Sequence, residues 1–161
     1  MQVELKGIKI IVSEMALTIF EKYKQYELGS VEAGGVVFGQ VSQDELTIFV
    51  TRASIPGPYD KATRTSFQRD KVWAQGITDY EFINSSGRNI YLGEWHTHPA
   101  KHARPSRQDQ NMLAEQYREN DIQTPFLLLF IVGLDEILSG LYDGHKLLST
   151  KVRFERKQSQ G

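Results

Sequence analysis

A polar segment between positions 94 and 109 constrains the chain more than any other part of the sequence. It reads Glu-Trp-His-Thr-His-Pro-Ala-Lys-His-Ala-Arg-Pro-Ser-Arg-Gln-Asp and contains three of the four histidines. We predict a strand over residues 89–95 that runs into His96. Because residues i and i+2 of an extended chain point to the same face, His96 and His98 should project together. Pro99 cannot donate a ladder hydrogen bond, so we expect the strand to end beside these histidines.

The Ser-x-x-Asp sequence from Ser106 to Asp109 predicts the start of a helix over residues 107–119. A serine N-cap followed by an acid in the first turn is usual at helix starts. For this pair alone, capping is the simpler interpretation. Asp109 could, however, face back toward the strand end that carries His96 and His98. Together the three side chains can build an open metal site with two imidazoles and one carboxylate.

The ligand types favour zinc. Catalytic zinc sites commonly have three protein ligands and keep a fourth position for water, whose pKa falls to about 7. Iron(II) also uses two histidines and a carboxylate, but usually with a co-substrate, and nothing in the chain supports that alternative. A structural zinc site usually has four protein ligands. Only three can be named here, and the sequence contains no cysteine. The pattern therefore indicates a hydrolase.

Hydrolysis of an amide also needs a proton acceptor that is not a ligand and a donor to the oxyanion. Ser106 is a candidate donor, since its hydroxyl would lie beside the metal. Two carboxylates are candidate acceptors. Glu94 shares a strand face with His96, and Glu32 precedes Ala-Gly-Gly-Val-Val-Phe-Gly, a predicted buried strand. The residues alone do not choose between them.

The sequence resembles the JAMM family of zinc metallopeptidases, also called JAB or MPN-plus. The family pattern is Glu-x-Gly-Gly, then His-x-His-Pro, then Ser-x-x-Asp at a fixed interval. This chain has Glu32-Ala-Gly-Gly, His96-Thr-His98-Pro and Ser106-Arg-Gln-Asp109. The resemblance implies that His96, His98 and Asp109 bind zinc, that Glu32 is the general base and that Ser106 stabilises the oxyanion.

The same resemblance implies the fold and the reaction. The expected fold is a mixed α/β (α+β) domain, JAB/MPN-like, with a curved central sheet flanked by helices in a cytidine-deaminase-like architecture. The expected reaction is attack of a zinc-bound water on an isopeptide or peptide carbonyl at the C-terminus of a ubiquitin-like or carrier protein. Glu94 is then left with a supporting role.

Among bacterial members, the residues from Gly93 to Pro99 and the Arg104-Pro105-Ser106 approach are most similar to the deconjugating peptidase of type II CBASS anti-phage operons. In those operons a cGAS-like nucleotidyltransferase is joined through its C-terminus to target proteins, and the JAB enzyme removes it. One alternative is a peptidase that processes a small ubiquitin-like sulfur carrier. Another is a non-catalytic module that binds a C-terminal tail, although such a module would not need Glu32.

Composition excludes several other classes. The net charge of −1 gives no reason to expect a nucleic-acid partner or an anionic membrane surface. The longest apolar block, residues 125–134, is too short to span a bilayer. No signal peptide is evident, and the absence of cysteine suits a reducing cytoplasm. Lys101, His102 and Arg104 place positive charge near the site; we treat them as weak candidates for substrate contact, because a solvated loop explains them as well.

The pattern along the chain predicts one domain over residues 1–154 and a mobile polar tail at 155–161. Hydrophobic periodicity predicts strands over residues 6–12, 33–41, 46–54, 126–132, 136–142 and 146–154. It predicts helices from Ser13 to about Tyr26 and from Asp70 to Phe82. Residues 55–65 are predicted to form a loop, and Asp143-Gly144 a turn. The segment from Ile55 to Phe67 could pair with an extended substrate tail by strand addition.

Overall fold

The protein is described by a computed structural model over residues 1–154, so the predicted tail at 155–161 lies outside the described residues. The strands are β1 (Gln2–Leu5), β2 (Ile8–Val12), β3 (Gly34–Val41), β4 (Thr47–Ala53), β5 (Lys61–Ala62), β6 (Phe67–Gln68), β7 (Ile90–Thr97), β8 (Leu127–Val132), β9 (Glu136–Tyr142) and β10 (Leu147–Arg153). The helices are α1 (Glu14–Lys22), α2 (Lys71–Asn84) and α3 (Arg107–Glu119). No helix within residues 1–154 has the length and hydrophobicity of a membrane-spanning segment.

Eight strands form one mixed sheet in the order β1-β2-β4-β3-β7-β8-β9-β10, and β5 and β6 form a separate hairpin. The pairs β2–β4 and β7–β8 are parallel, and the other pairs are antiparallel. The sheet curves until Cα atoms of its edge strands, β1 and β10, come within 8 Å of each other. This nearly closed sheet with flanking helices confirms the predicted fold class.

The central strand β8 is buried on both faces, which explains its uninterrupted apolar sequence. On one face, Phe20 of α1 packs against Phe130 of β8 and Trp95 of β7, with ring centroids 5.5 and 5.3 Å apart. On the other face, Leu113 of α3 belongs to a cluster with Leu129 and its alternating neighbours. The sheet therefore separates an α1 side from an α3 side.

A bulge in β7 decides which of its side chains face α3. The pairing of β3 with β7 shifts register between Val37 and Phe38, so Leu92 is an extra residue opposite them. Leu92 packs in the core cluster on the α1 side. Glu94, two residues later, contacts Gln116 on the α3 side. The bulge thus resets the alternation of the strand just before the histidines.

Two predicted boundaries in the first 26 residues were wrong, and the predicted loop at 55–65 contains strand β5. Residues 6–12 do not form one strand, because Lys6 and Gly7 have φ values of 48° and 81° and form a turn between β1 and β2. The first helix ends at Lys22 rather than near Tyr26. Gln25 instead turns inward, where its amide oxygen accepts a hydrogen bond from Thr97 Oγ1 at 2.9 Å.

The helix starts were predicted correctly. The side chains of Ser13, Asp70 and Ser106 each accept a hydrogen bond from the backbone N–H three residues later. The second helix continues two residues beyond the predicted end, to Asn84. The turn at Asp143-Gly144 is also present, with Asp143 Oδ1 accepting from two backbone N–H groups.

Candidate metal centre

The two histidines and Asp109 come together at the end of β7. His96 Nε2 lies 3.0 Å from Asp109 Oδ1 and 3.1 Å from His98 Nε2. His98 Nε2 lies 3.5 Å from Asp109 Oδ2. One atom from each of the three side chains can be chosen so that all lie within 4.8 Å of one another. This spacing and donor set fit a transition-metal ion, since imidazole nitrogen and carboxylate oxygen are its usual ligands.

The N-terminus of α3 fixes the orientation of Asp109. Ser106 N donates to Asp109 Oδ2 at 2.6 Å, and Asp109 N donates to Ser106 Oγ at 3.0 Å, which completes a capping box. Burial alone would raise the pKa of Asp109. Hydrogen bonds with His96 and His98, and the bond from Ser106 N, outweigh burial and hold this pKa well below its usual range. Asp109 is therefore a carboxylate, the form that a metal ligand requires.

Glu32 precedes β3 and lines the same cavity as the histidines. Its backbone N–H donates to Thr63 O at 2.7 Å. The following residue, Ala33, makes two hydrogen bonds with Thr97 of the histidine strand. Ala33 N donates to Thr97 Oγ1 at 2.9 Å, and Thr97 N donates to Ala33 O at 2.8 Å. Thr97, which projects away from the histidines, thus fixes the segment that carries Glu32.

The Glu32 side chain is desolvated, with only 5% of the residue exposed. This burial raises the pKa of Glu32, and the neighbouring His96 and His98 lower it in part. A carboxylate whose pKa is raised toward neutrality is a better proton acceptor than an exposed one. Glu32 is therefore a candidate proton acceptor that does not belong to the metal-ligand group.

The site opens into a cavity of about 1190 Å³. Its walls are Thr65–Gln68 around β6, the inner face of α2 and the inner face of α3. Phe67 of the hairpin lies against Gly34, where an added Cβ would come within 2.6 Å of the Phe67 ring. Gly34 is therefore needed for the hairpin to approach β3 so closely.

Four polar residues that the sequence analysis did not group together also line this cavity: Arg69, Tyr91, Glu94 and Gln116. Glu94 was predicted to share a face with His96, and it does lie on the α3 side. Its partners Arg69 and Gln116 come from distant segments, and no local pattern marks them. Burial raises the pKa of Glu94, and the Arg69 guanidinium and the Tyr91 hydroxyl oppose this rise.

The three weak candidates for substrate contact lie elsewhere. Lys101, His102 and Arg104 are not among the cavity-lining residues that the described chain provides. His102 Nδ1 instead lies 3.5 Å from Glu136 Oε2, and Lys151 Nζ donates to Glu136 Oε1 at 2.9 Å. Contact of these three residues with a substrate stays a prediction.

Known proteins resemble this chain in sequence and in fold. Proteins named CD-NTase/cGAS isopeptidase are 32% identical in Escherichia coli and 30% identical in Vibrio cholerae, each over 131 residues that are 81% of this chain and 80% of the relative. A Sinorhizobium fredii protein named as a probable metalloprotease is 29% identical and covers 80% of this chain and 79% of its own length.

The solution structure of protein DSY2949 from Desulfitobacterium hafniense shares the fold. It has a TM-score of 0.59 at 20% identity and covers 88% of this chain and 89% of its own. In sequence, residues 24–139 match the family described as prokaryotic homologs of the JAB domain, and this segment contains Glu32, both histidines, Ser106 and Asp109. The chain belongs to the prokaryotic JAB-domain family.

Proposed function

We propose that the protein is a zinc-dependent isopeptidase that releases a protein joined through its C-terminal tail to a target. The observation that carries this proposal is the His96–His98–Asp109 group beside the buried Glu32 in one cavity. Family relatives named isopeptidase and metalloprotease support hydrolysis as the reaction class. The names CD-NTase/cGAS isopeptidase support a role in CBASS-type anti-phage defence. The absence of cysteine favours the cytoplasm as its location.

His96, His98 and Asp109 would hold the zinc ion. When bound, zinc would supply Lewis acidity and make an attacking water available near pH 7. Three protein ligands would suit this chemistry, because catalytic zinc sites commonly have three. The capping box keeps the Asp109 carboxylate facing the histidines, so the ligand geometry does not depend on the rotamer of an unsupported side chain.

Glu32 would take the proton from the attacking water and later deliver it to the leaving amine. Its burial favours the first of these steps, because a raised pKa makes the carboxylate a stronger base. The hydrogen bonds between Thr97 and Ala33 would keep Glu32 close to the histidine strand during both transfers.

Ser106 would stabilise the oxyanion that forms when the carbonyl is attacked. Its Oγ accepts the N–H of Asp109 in the capping box, so its own hydrogen can be donated elsewhere. Because Ser106 lines the cavity, this donor is available to a substrate carbonyl. The capping role and the catalytic role therefore use different parts of the same hydroxyl.

The substrate would be a protein with an extended C-terminal tail. Thr65–Gln68 line the cavity beside the metal group, and a two-residue strand such as β6 can accept an extended chain by strand addition. The relatives' names favour the tail of a cGAS-like nucleotidyltransferase. The tail of a small ubiquitin-like sulfur carrier is the alternative substrate.

The test is cleavage of two tail fusions, one for each candidate substrate, by native, chelator-treated and zinc-restored protein. We expect the nucleotidyltransferase tail to be cut after its last residue, cutting to stop on chelation and to return with zinc. Cutting of the carrier fusion alone would reassign the substrate. Tight binding of a tail without cutting, at full zinc content, would favour a non-catalytic tail-binding module.

A further inference from the structure

A buried polar cluster joins β7 to α3 at the floor of the cavity. Tyr91 Oη donates to Glu94 Oε1 at 2.6 Å, and Arg69 Nε lies 2.8 and 2.9 Å from the two Glu94 oxygens. Gln116 completes the cluster with its amide nitrogen turned toward Glu94. In this orientation Gln116 donates to Glu94 Oε1 and to Tyr91 Oη, both at 2.9 Å, and accepts from Arg69 Nη2 at 3.2 Å.

The cluster connects the same two faces as the metal group. Glu94 and His96 are two residues apart in β7 and therefore share a face. Asp109 and Gln116 are seven residues apart in α3, which is two helical turns, and also share a face. Polar contacts therefore join the sheet to α3 at two places: His96 meets Asp109 at 3.0 Å, and Gln116 meets both Glu94 and Tyr91 at 2.9 Å.

Apolar packing also holds α3 against the sheet. Leu113 is fully buried and already attaches the helix to Leu127, Leu129 and Ile131. A buried ion pair such as Arg69–Glu94 is costly to desolvate, and apolar residues of similar volume often stabilise a fold equally well. Hydrogen bonds are directional, so a hydrogen-bonded cluster defines the position of α3 along β7 more narrowly than apolar contacts do.

We propose that Gln116 is a positioning residue of the metal centre. Held by Tyr91, Glu94 and Arg69, it fixes α3 on β7 so that Asp109 meets the histidines before any ion arrives. The inference rests on the proposed metal-binding function. Its consequence is a preorganised ligand set. Residues that hydrogen-bond a metal ligand commonly change metal affinity by about 10- to 100-fold when removed, and Gln116, which acts through the helix that carries Asp109, should have an effect at the lower end of that range.

The test compares zinc affinity of metal-free wild type, Gln116→Met and Gln110→Met by competition with a chromophoric chelator. Methionine is close to glutamine in size and helix propensity, so the first variant removes mainly the hydrogen bonds. Gln110 is exposed on α3 outside the cavity lining, and its variant is the matched control. We expect zinc to bind at least about 10-fold more weakly to Gln116→Met only.

A second variant, Tyr91→Phe, removes one hydroxyl from the cluster and should weaken zinc binding in the same direction. Circular dichroism of each metal-free variant checks that the fold is retained, and kinetics should show a lower kcat with KM unchanged. Wild-type affinity in both folded variants would overturn the positioning role while leaving the metallopeptidase proposal intact. Wild type that binds no zinc would overturn both.

Discussion

Ser106 and Asp109 cap one another: each backbone N–H donates to the side chain of the other, at 2.6 and 3.0 Å. The Asp109 oxygen that accepts from Ser106 N is also 3.5 Å from His98 Nε2. The same pair therefore begins α3 and aims a carboxylate at the histidines. Capping and metal binding, which are separate explanations of a Ser-x-x-Asp pattern in sequence, are compatible in this structure.

Replacing Ser106 with alanine should reduce both stability and turnover. Loss of the N-cap should lower the free energy of unfolding by about 1 kcal/mol. Loss of the oxyanion donor should lower kcat about 100- to 1000-fold. The control is Ser13→Ala, because Ser13 caps α1 in the same way and is not among the residues that line the cavity. Urea unfolding and cleavage kinetics measure the two effects, and equal losses of kcat in both variants would contradict the catalytic role of Ser106.

Glu32→Gln should stabilise the metal-free protein increasingly as pH rises. Burial raises the pKa of Glu32 above its ordinary value of 4.5, so the folded state holds its proton longer than the unfolded state. The resulting cost to the folded state is absent below the ordinary pKa and complete above the raised one. The stability difference between variant and wild type should therefore grow as the pH rises above about 4.5 and level off once the pH exceeds the raised pKa of Glu32.

Thermal unfolding of metal-free protein at several pH values measures this difference. Metal must be absent, because a bound cation would favour the ionised carboxylate. The control is Glu4→Gln, at an exposed position on β1, which measures the effect of the same substitution on stability away from the site. A pH-independent difference between Glu32→Gln and wild type would show that burial of Glu32 carries no such cost.

Gly93→Ala should disrupt the bulge in β7 that turns the side chains of Glu94 and His96 toward α3. Gly93 has φ +153°, and an added Cβ would lie 2.0 Å from Leu128 O of the neighbouring strand. We expect the free energy of unfolding to fall by about 2 kcal/mol or more. Gly76→Ala is the matched control: nothing lies within 4 Å of its added Cβ, and alanine in α2 should add about 0.5–1 kcal/mol. If both variants were equally stable, β7 would tolerate a Cβ at this position.

Local sequence patterns were sufficient for most of the fold. Serine or aspartate N-caps and the apolar runs of β8 and β9 are short-range signals, and both were interpreted correctly. The β1–β2 turn was missed because it places Lys6 at a positive φ. Asn-Gly is a strong signal for such a turn, whereas Lys-Gly is not. The end of α1 depends on the contact of Gln25 with Thr97, which lies 72 residues away.

In the site, too, short-range patterns could be predicted and contacts between distant segments could not. The two histidines share a face through strand periodicity, so their proximity follows from adjacent residues. The position of Glu32 depends on pairing between β3 and β7, and it was chosen over Glu94 only through a family resemblance. The bonds of Arg69 and Gln116 to Glu94 join three separate segments, and only the folded structure reveals them.

The most direct test of the account is to measure zinc content and cleavage of the tail fusion for Glu32→Gln and His96→Ala side by side with wild type. The account predicts that Glu32→Gln binds about one zinc per chain and does not cleave, because Glu32 transfers a proton and is not a ligand. His96→Ala should lose both zinc and cleavage. Loss of zinc in Glu32→Gln would make Glu32 a ligand, and full cleavage by His96→Ala would contradict the metal mechanism itself.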